Sequence, residues 1–152
     1  MGEIIPTFRM AGACFGLGLI TLSDGTTLKL KIFVVDIKEI GFSPFGGINF
    51  DVKAVGGVST HTVPEDLKKA VADKAVALSE PYEGWEILDV TKQEPPTVEE
   101  VVETSKGKYK VRVVADTVMA ARNMKYKTLS GEPIYHVSWV WKVSWKPVEG
   151  GK

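Results

Sequence analysis

The side chains that most often carry out catalysis are scarce in this sequence. It contains two histidines, His61 and His136, and one cysteine, Cys14. Nucleophilic catalysis requires a nucleophile, a base and a group that orients the base. His61 lies in a polar stretch typical of a hydrogen-bonded loop, and Cys14 lies among alanine and glycine, where a buried, unreactive thiol is expected. The sequence therefore predicts no catalytic residue and favours a protein that is not an enzyme.

Metal and cofactor sites are equally hard to assemble from these residues. One thiol and two imidazoles leave too few ligands for a zinc site built from cysteine and histidine. The glycines near the start of the chain lack the spacing and the following helix of a dinucleotide-binding loop. Two acidic pairs have no neighbouring histidine, a pattern typical of a solvated surface: Asp36 with Glu39, and Glu99 with Glu100. We therefore expect no metal, no cofactor and no small-molecule ligand.

Basic side chains alternate with apolar ones along two segments near the C-terminus. If the two segments pair as strands, five cations share one sheet face: Lys108, Lys110, Arg112, Lys142 and Lys146. Such a face can bind phosphate groups or an acidic protein partner. We expect His136 to face these cations, and Lys29 and Lys31 to join them if an internal repeat is real. No aromatic residue alternates with the cations, so the face lacks the stacking surface typical of single-strand binders.

The last apolar segment has a second face that carries three of the four tryptophans. Trp139, Trp141 and Trp145 alternate there with Val137 and Val143. Exposed indole rings can stack on bases or sugars. A contiguous face of five large apolar groups is more typical of a protein core or of a subunit interface. We therefore expect all three tryptophans to be largely buried in one or the other.

The composition excludes several classes of protein. The chain has 152 residues, of which 44% are hydrophobic and 25% charged, which is typical of a globular protein. Nineteen basic and nineteen acidic residues leave no net charge, unlike the basic surface of a dedicated nucleic-acid binder. The uncharged run Met10–Thr21 is shorter than the roughly 20 residues of a spanning helix, and Met1–Arg9 lacks a basic signal region. We expect an intracellular protein or a component of an assembled particle.

The charges are distributed unevenly along the chain. Residues 1–63, 64–104 and 105–152 have net charges of 0, −7 and +7, counted from the sequence. The acidic and basic segments can match within one molecule or between copies. Between copies they favour a contact of two different patches, which closes into rings or continues as filaments. The apolar segment Met10–Ile20 is our candidate for lying along the sheet edge of a neighbour.

Turn residues divide the chain into segments with the alternation of β-strands. One exception is the stretch after Thr62, where Thr62 and Glu65 have the spacing of a capping box ahead of apolar residues at helical spacing. A helix is therefore expected from there to Ser79 or Glu80, before Pro81. The predicted fold is mainly β, a β-sandwich or partly open barrel with one packed α-helix. The predicted strands are Gly16–Leu22, Thr27–Ile40, a strand around Ile48–Lys53 that Val58–Val63 continues, Trp85–Val90, Val98–Thr104, Lys108–Ala121 and Pro133–Lys146.

A single domain over residues 1–152 is expected, with a weak internal repeat. The segment Leu28–Ile32 resembles Tyr109–Val113, and each follows a turn with a serine two residues before a glycine. This likeness indicates a duplicated three-stranded unit, with pseudo-repeats at 16–57 and 98–146 and a helix-containing connection at 62–92. Two such units can each cover the apolar face of the other.

These patterns leave three classes of function open. A non-enzymatic structural or assembly subunit, forming homo-oligomers or a larger protein assembly, is favoured by the opposed segment charges and the tryptophan face. The alternative is a nucleic-acid-binding protein, such as a DNA-binding protein, that uses the basic sheet face. An enzyme or small-ligand binder is the third class, and it would require an apolar pocket with polar lining. The expected partner is a second copy or another protein, and no membrane is expected to take part.

Overall fold

The computed structural model describes residues 15–44 and 47–148, and these residues form a mainly β fold. The only helix among them, α1, has six residues. In chain order the elements are β1 Phe15–Leu22, β2 Thr27–Gly41, β3 Asn49–Thr62, α1 Glu65–Ala70, β4 Ala75–Val76, β5 Trp85–Leu88, β6 Val90–Glu94, β7 Thr97–Thr104, β8 Gly107–Asn123, β9 Tyr126–Lys127 and β10 Ile134–Pro147.

Two antiparallel sheets contain most of the strands. Sheet 1 has four strands in the order β3-β2-β1-β6. Sheet 2 is built around the long strand β8, which pairs with β10 on one side and with β7 and β5, one after the other, on the opposite side. A separate parallel pair joins β4 to β9. The prediction of a mainly β fold is confirmed.

The sheets pack face to face because their strands alternate between apolar and polar residues. In β2, Leu28, Leu30 and Ile32 are buried, whereas Lys29 and Lys31 lie on the opposite face. The first of two core clusters joins buried residues of β1 and β2, in sheet 1, to residues of sheet 2, which are Val98, Ala115, Ala120 and Val137. The second joins Ile48 and Phe50 to Tyr109, Val111 and Val113. This arrangement is a β-sandwich.

The chain crosses from sheet 1 to sheet 2 at Pro95 and Pro96, between β6 and β7. The backbone of β1 passes so close to this crossing that a Cβ atom on Gly16 would lie 2.5 Å from the Thr97 carbonyl oxygen. The Ala115 amide donates a hydrogen bond of 3.2 Å to the Pro96 carbonyl and fixes the crossing against β8. A glycine is therefore required in β1 where the two sheets converge.

The predicted helix is much shorter than expected, and its predicted cap is wrong. Thr62 is the last residue of β3, and no side chain caps the helix, which begins after Pro64. The chain turns at Val71, which is fully buried, and then pairs β4 with β9. Tertiary pairing therefore ends the helix well before Ser79, although the local spacing of apolar residues favours its continuation. The described part of the chain contains no helix with the length and apolar character needed to cross a membrane.

Each proposed repeat corresponds to a three-stranded antiparallel meander. Residues 16–57 span most of β1, β2 and β3, and residues 98–146 span most of β7, β8 and β10. The two meanders belong to different sheets and face each other across the core. Meanders of this kind are common in antiparallel proteins, so the duplication itself stays a prediction.

Candidate functional site

The five predicted cations lie together on the outer face of sheet 2. In the register of β8 with β10, Lys146 lies opposite Lys110, and Ser144 lies opposite Arg112. The neighbouring residues Val111 and Val113 point into the core, which places the cations on the outside. The sheet therefore brings the predicted basic face together.

Acidic residues share this face and pair with four of the five cations. Strand β7 brings two of them, because Glu99 lies opposite Arg112 and Glu103 lies opposite Lys108. The nitrogen-to-oxygen distances are 3.9 Å for Lys108–Glu103, 3.8 Å for Lys110–Glu99, 3.7 Å for Arg112–Glu99 and 2.9 Å for Lys142–Asp116. Lys146 has no ion pair within the described ranges. The face is therefore a mixed-charge surface, much less suited to a polyanion than the cations alone indicate.

Lys29 and Lys31 do not join these cations, because they lie on the outer face of sheet 1. There Lys31 Nζ lies 4.7 Å from the ring centre of Phe15 and 5.6 Å from that of Phe33. The ring centres are 6.0 Å apart, and both side chains are more than two-fifths exposed. We call Phe15, Phe33, Lys29 and Lys31 the Phe–Lys face. Aromatic rings and cations alternate here, at a place that the sequence analysis did not select.

The two histidines lie away from the predicted basic face. His136 pairs with Ala121, and its Nδ1 lies 3.2 Å from Glu80 Oε2, so the expectation that it faces the cations of β8 is wrong. His61 is exposed near the end of β3 and not in a loop. Cys14 lies outside the described residues, as does the Met10–Cys14 part of the candidate docking segment. The described part of that docking segment, residues 15–20, belongs to strand β1 and already pairs within sheet 1.

The three tryptophans occupy different environments on the inner face of β10. Trp139 packs against the first core cluster and Trp145 against the second, where its ring centre lies 5.1 Å from that of Phe50. Trp141 lies at right angles to Trp139, and 38% of it is exposed in the single chain. The tryptophan face is therefore core at both ends and open at Trp141.

An apolar opening lies beside Trp141, between the edges of the two sheets. Its volume is about 480 Å³, and its lining includes Val35, Val52, Val55, Val113, Trp141 and Val143. Val143 is 37% exposed and Val55 is 55% exposed. We call this cavity the apolar opening. Exposed apolar surface of this kind marks contact sites in soluble proteins.

The edges that border the apolar opening are the long strands β3 and β10. Each is the last strand of its sheet, and no strand in the described part of the chain pairs with its outer edge. An unpaired edge presents a row of backbone N–H and C=O groups to any further strand. Apolar side chains and free backbone groups therefore coincide on this side of the sandwich.

A buried polar cluster joins the two sheets at one end of the sandwich. Asp24, in the turn between β1 and β2, accepts hydrogen bonds from the Tyr135 hydroxyl at 2.8 Å and from Arg122 Nη1 at 3.1 Å. Thr26 Oγ1 lies 2.7 Å from the Tyr135 hydroxyl, and Arg122 Nη2 donates to Glu86 at 2.7 Å. The Arg122 Nε atom is buried and has no hydrogen-bond partner among the described residues.

Burial sets the direction of the Tyr135 pKa shift, and neighbouring carboxylates set that of Arg122. Desolvation raises the pKa of Tyr135, and its hydrogen bond to Asp24 acts in the same direction, against an opposing contribution from Thr26. Burial alone would lower the pKa of Arg122, but Glu86 and Asp24 outweigh it and the pKa is raised. The cluster holds the phenol neutral and the guanidinium charged. The cluster therefore links the two sheets through buried hydrogen bonds and an ion pair.

Neither the geometry nor similarity to known proteins assigns a chemical activity. Within residues 15–44 and 47–148, no group of three or more histidine, cysteine, aspartate or glutamate side chains is placed to hold a metal ion. Comparison with protein-family models, with curated proteins and with solved structures gave no match to this chain. The candidate functional features are therefore the apolar opening with its two edge strands, and the Phe–Lys face.

Proposed function

We propose that this protein is a non-enzymatic assembly subunit that forms homo-oligomers through the apolar opening and the edge strands beside it. The observation that carries the proposal is the exposure of Trp141 and Val143, at 38% and 37%, on the inner face of a sheet. Inner-face residues of a sandwich are normally covered by the opposite sheet. Burial of such side chains by a partner contributes about 25 cal/mol per Å² of apolar surface removed from water.

The unpaired edges support the same proposal. Proteins that stay monomeric protect their sheet edges with lysines, prolines or bulges. Strand β10 has such protection, because Lys142, Lys146 and Pro147 lie along it. In β3, residues 54–62 contain no aspartate, glutamate, lysine, arginine or proline, and the bulge in this stretch lies near its end, at His61. An edge of this composition favours pairing with another strand.

The charges contribute less to assembly than the sequence predicts. Glu99 and Glu103, from the acidic segment, pair with cations of the basic segment in the same sheet. Opposite charges are therefore matched inside one molecule over this face, and exposed pairs contribute only about 0–1 kcal/mol each. An apolar contact at the opening supplies the larger share of the affinity in our proposal.

Charge substitution inside and outside the apolar opening tests this function. Val143→Glu places a carboxylate at the opening, and we expect it to lower the oligomer mass measured by light scattering. Val101→Glu is the matched control, because Val101 is also exposed but lies on the outer face of β7. Equal effects of the two substitutions, or no effect of either on an oligomer, would argue against assembly through the opening.

Nucleic-acid binding is the second candidate function, and the Phe–Lys face is the observation that favours it. Neither Lys29 nor Lys31 forms an ion pair in the described part of the chain, unlike the cations of sheet 2. Exposed aromatic rings beside free cations are typical of proteins that bind single strands. Two cations give a weak and strongly salt-dependent contact, so this candidate ranks below assembly.

A further inference from the structure

The proposed assembly leaves open how two copies meet, and the composition of β3 answers this. We propose that β3 pairs antiparallel with β3 of a second copy about a two-fold axis at Gly56. The inference rests on the proposed function and adds the partner, the strand and the register. Sheet 1 of one copy and sheet 1 of the other, each with four strands, would then form one continuous sheet of eight strands. A two-fold dimer is the commonest arrangement of identical subunits.

Strand β3 suits this pairing better than the other long edge, β10. Both strands have 14 residues. A lysine on β10 would lie beside the backbone of any added strand, and Pro147 removes one donor. The uncharged stretch 54–60 of β3, which ends before the bulge at His61, presents no such obstacle. It also contains Gly56 and Gly57, which let two backbones approach closely.

The two faces of β3 restrict the possible registers. Ala54, Gly56 and Val58 point towards the core, and an added strand must point the same alternate residues inwards. A two-fold axis through a residue of β3 satisfies this condition. Opposite residues are then both even-numbered or both odd-numbered, so they point to the same face of the sheet. The strand length selects among these registers, since an axis at Val52 pairs only residues 49–55, whereas an axis at Gly56 pairs residues 51–61, up to the bulge at His61.

Charge favours Gly56 over the adjacent centres. With the axis at Gly56, Asp51 lies opposite His61 of the partner subunit, and Lys53 lies opposite a serine. With the axis at Gly57, Lys53 would lie opposite His61 of the partner subunit. With the axis at Val55, Asp51 would lie opposite a serine. The side chains of Asp51 and Lys53 are about half exposed, and His61 is exposed in a bulge of the strand. Only the first register places an acidic residue opposite an imidazole across the interface.

The same register fits the shapes of the outer and inner faces. On the outside, Val55 would lie opposite Gly57 of the partner subunit, and a Cβ atom at Gly57 has nothing within 4 Å. On the inside, β3 lies over β10, because the Trp139 ring touches Gly56. A strand added beyond β3 would therefore extend over the open side of β10. Val58 and Thr60 of the partner subunit would then lie opposite Ala54 and Val52, beside Trp141 and Val143, which are the apolar side chains left exposed in the single chain.

Disulfide trapping between two variants tests the register directly. Val55→Cys and Gly57→Cys are made separately with Cys14→Ser, so that each protein has one thiol. Opposite residues lie within reach of a disulfide, whereas the two copies of position 55 would be diagonal neighbours about 7–8 Å apart. On mild oxidation we expect covalent dimer from the mixed proteins and at least tenfold less from either alone. Efficient dimer from one variant alone, or none from the mixture, would overturn this register.

A charge exchange across the interface provides a second test that does not depend on thiol chemistry. His61→Asp places two carboxylates opposite each other at both ends of the paired stretch, and we expect dimer dissociation to increase about tenfold. Adding Asp51→Lys restores opposite charges, and we expect the affinity to return to within about threefold of the original. Absence of this rescue would contradict the register.

The two tests also separate this inference from the proposed function. Light scattering on the same unoxidised samples gives the oligomer mass. Oligomers without the mixed disulfide would overturn the β3 pairing and leave assembly standing. Monomers at every concentration would overturn both proposals.

Discussion

The indole ring of Trp139 lies directly against Gly56, so that a Cβ atom at position 56 would be 2.8 Å from Trp139 Cζ2. This contact spans the gap between the two sheets and stacks the edge strand β3 on the edge strand β10. Trp141, two residues further along β10, lines the apolar opening. A larger side chain at position 56 would therefore have to displace the Trp139 ring or the β3 backbone.

Filling the space at Gly56 should destabilise the fold. Gly56→Val forces the Trp139 ring or the β3 backbone to move, and overpacking of this kind costs about 1–3 kcal/mol. Gly57→Val is the matched control, because nothing lies within 4 Å of a Cβ atom there, and its free energy of unfolding should change by less than about 0.5 kcal/mol. Urea denaturation at a protein concentration below that of assembly measures both. Equal losses at the two glycines would show that the ring contact does not restrict position 56.

Removing the Asp24 carboxylate should cost more than removing an exposed one. Asp24→Ala leaves the largely buried Arg122 guanidinium and the Tyr135 hydroxyl without their shared acceptor, and we expect a loss of about 2–4 kcal/mol. The control is Asp51→Ala, whose ion pair with Lys53 is exposed and contributes about 0–1 kcal/mol. Denaturant titration at a protein concentration below that of assembly compares the two variants. If Asp24→Ala lowers the free energy of unfolding by no more than Asp51→Ala does, the cluster does not stabilise the contact between the sheets.

The stability should fall at alkaline pH in a way that depends on Tyr135. Its pKa in the folded protein is raised, chiefly by burial, so the phenol stays protonated when the unfolded chain begins to ionise. The contribution is fully present below the ordinary tyrosine pKa of about 10 and is lost as the pH rises above it. We expect Tyr135→Phe to show a shallower decline between about pH 9 and pH 11. Identical slopes for the two proteins would contradict a raised pKa.

Nucleic-acid binding, if present, should depend on Lys31 and not on the paired cations of sheet 2. We expect no sub-micromolar complex with a single-stranded oligonucleotide at physiological salt. In low salt, Lys31→Glu should weaken any binding and reduce its salt dependence by about 0.7 for each phosphate that is no longer neutralised. Lys110→Glu with Lys142→Glu should have a smaller effect per residue, because those cations already pair with acids. A tight complex at physiological salt would favour the second candidate function.

Local patterns were sufficient to predict much of the fold. Alternation predicted both β2 and β10, and it predicted the faces of residues 28–34 and 137–146, since the period of a strand depends only on its own backbone. The helix was predicted too long because the pairing of β4 with β9, which stops it, joins residues about fifty positions apart. Local spacing contains no information on such a contact.

The candidate site was predicted only in part, for a similar reason. The hairpin between β7 and β8 places Glu103 opposite Lys108, so its turn residues contained enough information to foresee the mixed charge of that face. The apolar opening depends on how β3 stacks over β10, which no single segment specifies. The Asp24–Arg122 pair joins residues 98 positions apart and leaves no local signal.

The most direct test of assembly is the mass of the full chain by light scattering, measured over a range of concentrations at low salt. Assembly through the apolar opening predicts a mass that is a multiple of 16.6 kDa and falls towards that value on dilution. We further expect Val143→Glu to shift the transition to higher concentration and Val101→Glu to leave it unchanged. A protein that remains at the mass of one chain at the highest concentration, with Trp141 freely quenched by iodide, would contradict assembly through the opening.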